Sequence, residues 1–289
     1  MLRHILFATT LATIGAGAEA RPLRNGGKLM LTGGATGIEG AAGGGLATWA
    51  LIGGNETDAG IGGGVHATEV RLADFGFRSL GAKVGLFDRV ELSYAHHRFD
   101  TEAAGAALGL GRGFTFGQQV FGAKVRLVGD AIYDQGSVLP QISVAVQHKR
   151  ARRDGVIAFL GGRSETGTDY LVSASKILLD QSLVLGGSVR LTKANQFGLL
   201  GFGGDKEGGY SAQFEGSAGV LLSRKLLVGA ELRTRPSNLS FAREDDAWDA
   251  FAAWSVHRNV TLTAAYVDLG SIATLDGQRG LYLSAQLGF

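Results

Sequence analysis

Lys225 to Arg235 reads KLLVGAELRTR, and the alternation within it decides the fold. Leu226, Val228, Ala230 and Leu232 fall on one side of an extended chain, while Gly229, Glu231, Arg233 and Arg235 fall on the other. Successive side chains of a β-strand point to opposite faces, so a period of two describes a strand with one apolar and one charged face. The pattern recurs. Val90, Leu92 and Tyr94 oppose Glu91, Ser93 and His97; Phe121, Ala123, Val125 and Leu127 oppose Lys124 and Arg126. Tyr170, Val172 and Ala174 oppose Asp169, Ser173 and Ser175; Val260, Leu262, Ala264 and Tyr266 oppose Thr261 and Thr263.

The connections between these segments alternate in length. Short polar turns stand at Asp88-Arg89, Asp180-Gln181-Ser182, Ser223-Arg224-Lys225 and His257-Arg258-Asn259. Longer loops run from Asp100 to Gly113, Ala151 to Thr166, Asn195 to Gly209, Pro236 to Asp245 and Leu269 to Gln278. Short turns at one end and long loops at the other is the layout of an outer-membrane barrel, with the short end periplasmic. Counting back from the C-terminus predicts an all-β, antiparallel transmembrane barrel of about 12 strands, within a range of about 10–14, over residues 60–289. Trp248 and Trp254 share a face and would stand roughly 20 Å apart along a strand, near the height of a lipid-facing band between two aromatic girdles. The chain ends GLYLSAQLGF, which puts Leu281, Leu283, Ala285, Leu287 and the terminal Phe289 on one face. Phe289 joins the two tryptophans as a girdle residue, and such a last strand is similar to the signal read by the barrel-assembly machinery.

The opening of the chain, MLRHILFATTLATIGAGAEA, has a basic start, an apolar stretch and a small-x-small site at Ala18-Glu19-Ala20, so residues 1–20 read as a secretory signal peptide. No later stretch approaches the roughly 20 apolar residues of a membrane-spanning helix, and a membrane contact therefore falls to a barrel or a surface. The competing fold is a periplasmic sandwich or lipocalin-like barrel, with the apolar faces turned inward. The many charges on the opposite faces weigh against it. A net charge of +2 with no extended basic run points to no nucleic-acid partner.

Residues 21–59 form a glycine-rich N-terminal segment, expected either to add a hairpin or to plug the lumen. Within it LMLTGGATGIEG, Leu29 to Gly40, imitates the phosphate-binding turn of short-chain dehydrogenases. Glu39 replaces the last glycine of that turn, and no tyrosine has a lysine four residues on, so a glycine-rich turn in a β protein is the better reading.

Five blocks carry a family likeness: IEGAAGGGLATWALIGG (Ile38 to Gly54), GLFDRVELSYAHHRFD (Gly85 to Asp100), FGAKVRLVGDAIYDQGSVLPQI (Phe121 to Ile142), TKANQFGLLGFGGDK (Thr192 to Lys206) and TAAYVDLGSIA (Thr263 to Ala273). Together they resemble a proteobacterial family of secreted, outer-membrane-barrel-like proteins of unassigned function. The resemblance implies fold and location and transfers no catalytic residue.

Several groups invite a chemical reading. Lys83, Glu91, Lys124, Arg126, Lys149, Asp169, Arg190, Glu231, Arg233 and Arg235 are the lumen-lining candidates, with Asp249 alongside. If they line water, their mildly cationic balance favours small anionic solutes; if they pair across strands, they close the interior. Phe197, Leu199, Leu200 and Phe202 form an apolar loop that either constricts the mouth or packs against neighbouring loops. Ser93 and His97 share a face with Glu91, but a row of polar groups on one strand is more often a wet wall than a catalytic trio. His96 and His97, being adjacent, point apart and cannot share a metal; Glu244-Asp245-Asp246 with Asp249 reads as a solvated charge patch rather than a cation site. The expected function is a passive channel or transport-type barrel in the outer membrane, not an enzyme, with outer-membrane lipid as its surroundings and with no cofactor or metal. A closed structural or ligand-binding barrel is the alternative, and an outer-membrane lipid-modifying enzyme a more distant one.

Overall fold

The computed structural model describes Leu31 and residues 35–289; the side chain of Asp154 and residues 1–20, read above as a signal peptide, lie outside the described residues. Twelve strands form a closed antiparallel barrel: β1 (Ile61–Arg71), β2 (Gly76–Leu86), β3 (Val90–Asp100), β4 (Thr115–Val128), β5 (Gln141–Arg152), β6 (Thr166–Leu178), β7 (Leu183–Thr192), β8 (Ser211–Ser223), β9 (Leu226–Arg233), β10 (Ala247–His257), β11 (Val260–Asp268) and β12 (Arg279–Gly288). Each strand pairs with its sequence neighbours, and β1 pairs with β12 to leave no free edge. Closure matters physically, because backbone groups on an open edge would have no partner in hydrocarbon. Phe289 completes the seam: its N–H donates to Gly63 O at 2.9 Å, and Gly63 N–H donates back at 2.7 Å.

The alternation read in KLLVGAELRTR holds in space. Glu231 and Arg233 are buried in the lumen, and Ala230 and Leu232 face out. Around the barrel the exposed positions are apolar: Leu80, Leu92, Phe121, Val172, Phe214, Leu262 and Leu283 all rank among the exposed large hydrophobics. A continuous apolar exterior of this extent is not compatible with a monomer in water, so the band faces lipid. Among the described residues no helix is long and apolar enough to cross a membrane, so the strands do the crossing. Tyr170 and Tyr210 pair at 5.9 Å, and Trp248 and Tyr266 at 6.0 Å, near the loop end of the barrel. Trp254, Phe87 and Phe289 are exposed near the turn end, which completes two aromatic belts.

Two connections depart from the expected alternation of lengths. Residues 129–140, between β4 and β5, make a long excursion at the turn end, whereas residues 72–75 close β1 and β2 tightly at the loop end. The long excursion is held by cations on β4 and β6: Arg126 pairs with Asp88 and with Asp130 at 3.1 Å, and Lys176 donates to Asp134 O at 2.6 Å. Register shifts in β4, β8 and β10 all lie near the turn end, where a bulge can bend the strand without disturbing the lumen.

Residues 35–59 add no strand to the sheet. Among them Gly43 and Thr48 bridge each other, Glu56 takes part in a further isolated bridge, and Ile38, Ala42, Leu46, Trp49, Ala50 and Ile52 are all buried.

Candidate functional site

A chain segment without regular structure must find partners for its backbone N–H and C=O groups elsewhere, or forfeit about 1–3 kcal/mol for each one left bare. In residues 35–59 the barrel wall supplies them. The Glu91 carboxylate on β3 accepts the N–H of Gly53 at 2.7 Å and of Ala42 at 3.1 Å. Lys124 pairs with Glu91 at 3.2 Å and donates to Leu51 O at 2.9 Å, so one ion pair clasps both flanks of the segment. Glu231 accepts from Leu46 N–H at 2.8 Å and Ala47 N–H at 3.1 Å; Glu215 accepts from Thr48 N–H at 2.8 Å. Hydroxyls complete the set. Ser188 donates to Thr48 O at 2.7 Å, Ser143 to Ala50 O at 2.6 Å and Ser79 to Ile38 O at 2.8 Å.

Small residues make this approach possible. A Cβ on Gly53 would stand 2.5 Å from Lys83 Cε, and one on Gly43 would stand 2.4 Å from Ala47 O. Within the stretch that imitated a nucleotide-binding turn, Gly40 has a φ of +89° and a Cβ there would stand 2.9 Å from Tyr94 O on β3, so the closeness of segment and wall requires that glycine.

Glu39, the residue that spoils the nucleotide motif, sits at the centre of the charge network. Its carboxylate meets Lys149 at 2.5 Å, Arg190 at 2.9 Å and Arg233 at 3.1 Å. Asp169 meets Lys149 at 2.7 Å and Arg190 at 2.9 Å, while Glu215 meets Arg190 at 2.6 Å and Arg233 at 3.4 Å. Three carboxylates thus balance three cations in a space nearly closed to water. Arg190 also donates to Gln147 Oε1 at 2.7 Å, and Thr192 donates to Asp169 Oδ1 at 2.6 Å, so further polar atoms find partners.

The remaining sequence candidates take other places. Lys83 is buried and donates to Ala35 O at 2.5 Å. Asp249 stands opposite Glu231 in the β9–β10 register, away from the cationic ring. Arg126 lies at the turn end with Asp88 and Asp130, outside that ring. Arg235 lies at the loop end, donating to Asp245 O at 2.7 Å and Leu269 O at 2.6 Å. Glu244 accepts from Gln196 N–H at 2.8 Å, whereas Asp245 takes the hydroxyl of Ser271; the acidic run and Asp249 do not converge. Burial raises the Glu244 carboxyl to about 7, with Arg235 and the Gln196 amide opposing that rise. The His97 ring nitrogens meet Ile38 O at 2.8 Å and Gln118 Oε1 at 3.0 Å, not Ser93.

The apolar loop turns inward. Phe202 is fully buried, Leu199 and Leu200 are buried, and the Phe197 ring lies 4.8 Å from the Arg233 guanidinium and 5.1 Å from that of Arg235. Phe197 and Gln196 both have positive φ, which bends the chain back into the mouth. Beneath it the inward positions of the strands change character: Phe77 on β2, Phe99 on β3 and Phe116 on β4 are apolar, and they enclose a chamber of about 100 Å³ with Ile38 and Leu46 among its lining. The lumen is therefore layered, oily near the loops and ionic below. Glu215 could have been found from the polar parity of Gln213, Glu215 and Ser217 on β8; Glu39 carried no local signal beyond being misplaced in a glycine motif.

The barrel and its lumen define a membrane-spanning β-barrel of the outer-membrane type with a chain segment in its interior. Residues 32–286 match the family described as protein of unknown function (DUF3034), and the chain belongs to that family. No curated protein matches it. Among solved structures it is similar to the KdgM porin, at 9% identity and a TM-score of 0.51, over 78% of this chain and 99% of the porin. An outer membrane channel from Pseudomonas putida F1 also matches, at 11% identity and a TM-score of 0.48, over 79% of this chain and 95% of the channel. Outer membrane phospholipase A from Escherichia coli matches at 8% identity and a TM-score of 0.41, over 79% of this chain and 92% of the enzyme. At such identities the likeness concerns fold alone.

Proposed function

We propose that this protein is a plugged transport-type barrel of the outer membrane, exported by residues 1–20 and assembled through its last strand. Residues 35–59 hold the lumen closed at rest, and small solutes pass when that segment shifts. The observation that carries the reading is the capture of its backbone N–H groups by Glu91, Glu215 and Glu231, together with the placement of Glu39 among Lys149, Arg190 and Arg233. A segment bound through side chains of the wall, rather than through ladder hydrogen bonds, can move without breaking the barrel. Withdrawing Glu39 would leave three cations facing two carboxylates in the ring, a balance that favours anions in the opened lumen.

The test is conductance in planar bilayers of the intact protein and of a variant lacking residues 35–53, with altered gel mobility on boiling used to show that both barrels are folded. The intact protein should be closed most of the time, and the variant should conduct steadily with a reversal potential on the anion side. Equal conductance, or silence from both folded proteins, would rule the plug out.

A further inference from the structure

The chamber beneath the inward-turned loop is not used by the closed barrel and has a composition of its own. Its lining is almost wholly apolar, with Phe77, Phe99, Ile38 and Leu199 among the side chains facing it. A cavity on this scale walled by Leu, Ile and Phe stays dry and accepts an apolar guest of about benzene size. Among the described residues, four side chains with polar atoms line it: Thr101, His97, Gln196 and Tyr282. Thr101 is spent on Phe114 O at 2.8 Å, and His97 on Ile38 O and Gln118. Gln196 and Tyr282 differ. Both side chains are buried, and among the described residues neither Gln196 Nε2 nor the Tyr282 hydroxyl has a hydrogen-bond partner; Gln196 sits on the inward-turned loop itself. A buried amide N–H without an acceptor costs stability unless something else supplies the acceptor. At the rim, Phe159 lines the same chamber while remaining 88% exposed, at the end of the short helix α1 (Asp154–Phe159) in the loop after β5. An aromatic ring left in water at the entrance of an oily cavity offers a first contact to an apolar solute.

We propose that this chamber is a binding site for a small neutral ring compound carrying one hydrogen-bond acceptor, with the ring among Phe77, Phe99 and Leu199 and the acceptor on Gln196 Nε2. Among the described residues no Lys, Arg, Asp or Glu lines the chamber, a lining unsuited to the ionic solutes that the ring of charges below would suit. Binding requires neither an open lumen nor movement of residues 35–59, so it stands apart from the plug. Ile38 belongs both to that segment and to the chamber, and a bound guest therefore rests directly on the element that closes the barrel.

The test uses two near-isosteric probes, 4-fluoroacetophenone and 4-fluoroethylbenzene, followed by fluorine NMR with the full-length protein in detergent micelles. Wild-type protein should give a saturable bound signal distinct from probe dissolved in the micelle, and the ketone should bind roughly 3- to 10-fold more tightly, as one added hydrogen bond implies. Gln196→Leu should bind both probes and abolish the preference. Leu110→Trp, which fills the chamber, should remove the bound signal of both. A signal that merely scales with detergent and survives Leu110→Trp would overturn the site. Equal affinities of the two probes for wild-type protein, or a ketone preference that persists in Gln196→Leu, would overturn the role given to Gln196.

Discussion

Glu39→Gln removes one charge from a ring that is balanced only with it present. The glutamine keeps the shape of the side chain and one acceptor oxygen, but Lys149, Arg190 and Arg233 are left facing only Asp169 and Glu215. Replacing a whole buried ion pair by apolar groups can be neutral, whereas deleting one partner strands a charge at a cost of about 3–5 kcal/mol. The retained oxygen argues for the lower figure, about 3 kcal/mol. Since Glu39 lies on the segment and its partners lie on the wall, the loss falls on docking of the segment rather than on the barrel. That corresponds to a roughly 100-fold shift toward the undocked state. Hydrogen exchange reads it directly: the amides of Ala42, Leu46, Ala47 and Gly53, all bound to wall carboxylates, should exchange roughly 100-fold faster in the variant, while amides of β6 and β7 keep their protection. Glu69→Gln, which breaks an exposed pairing with Arg71 and Arg78, should change nothing. If the segment amides of Glu39→Gln stay within about threefold of wild type, the docking role assigned to this ion ring is wrong.

Gly43→Ala should also release the segment, because the added carbon would stand 2.4 Å from the backbone oxygen of Ala47; limited proteolysis should cut the variant inside residues 35–59 sooner than the parent. Val172→Arg places a charge near the middle of an outward strand face and should lower the stability of the barrel in liposomes by about 2–4 kcal/mol, an effect that urea titration would show and that an exterior facing water would not produce. The Glu244 carboxyl, raised by burial to about 7, contributes stability that is complete below its unfolded value of 4.5 and is lost as pH rises through 7. Protection of the Gln196 amide, which it accepts, should accordingly decline between about pH 5 and 8 after correction for intrinsic exchange, and Glu244→Gln should flatten that decline.

The architecture was legible because it is written locally. A strand with lipid on one side and polar groups on the other repeats every second residue, and neighbouring antiparallel strands are joined by turns that can be seen in the chain. Val260 to Tyr266 and the terminal GLYLSAQLGF therefore announced β11 and β12 and their outward faces. Parity also named Lys124, Lys149, Asp169 and Arg190 as inward groups, and the structure places them facing in. Residues 129–140 escaped the expected layout because part of their hold on the turn end comes from Lys176 on β6, which sequence reading cannot bring beside them.

What sequence alone determined is thus the strand period, the strand number to within a hairpin and which side of each strand is apolar, all properties of a few neighbouring residues. Only the tertiary structure decided what fills the interior. Glu39 meets Arg190 across 151 positions and Arg233 across 194, and no local pattern encodes either meeting. Closure of the barrel sets how far apart facing strands lie and at what height their side chains project, and those two distances decide whether inward charges line water or clasp a chain.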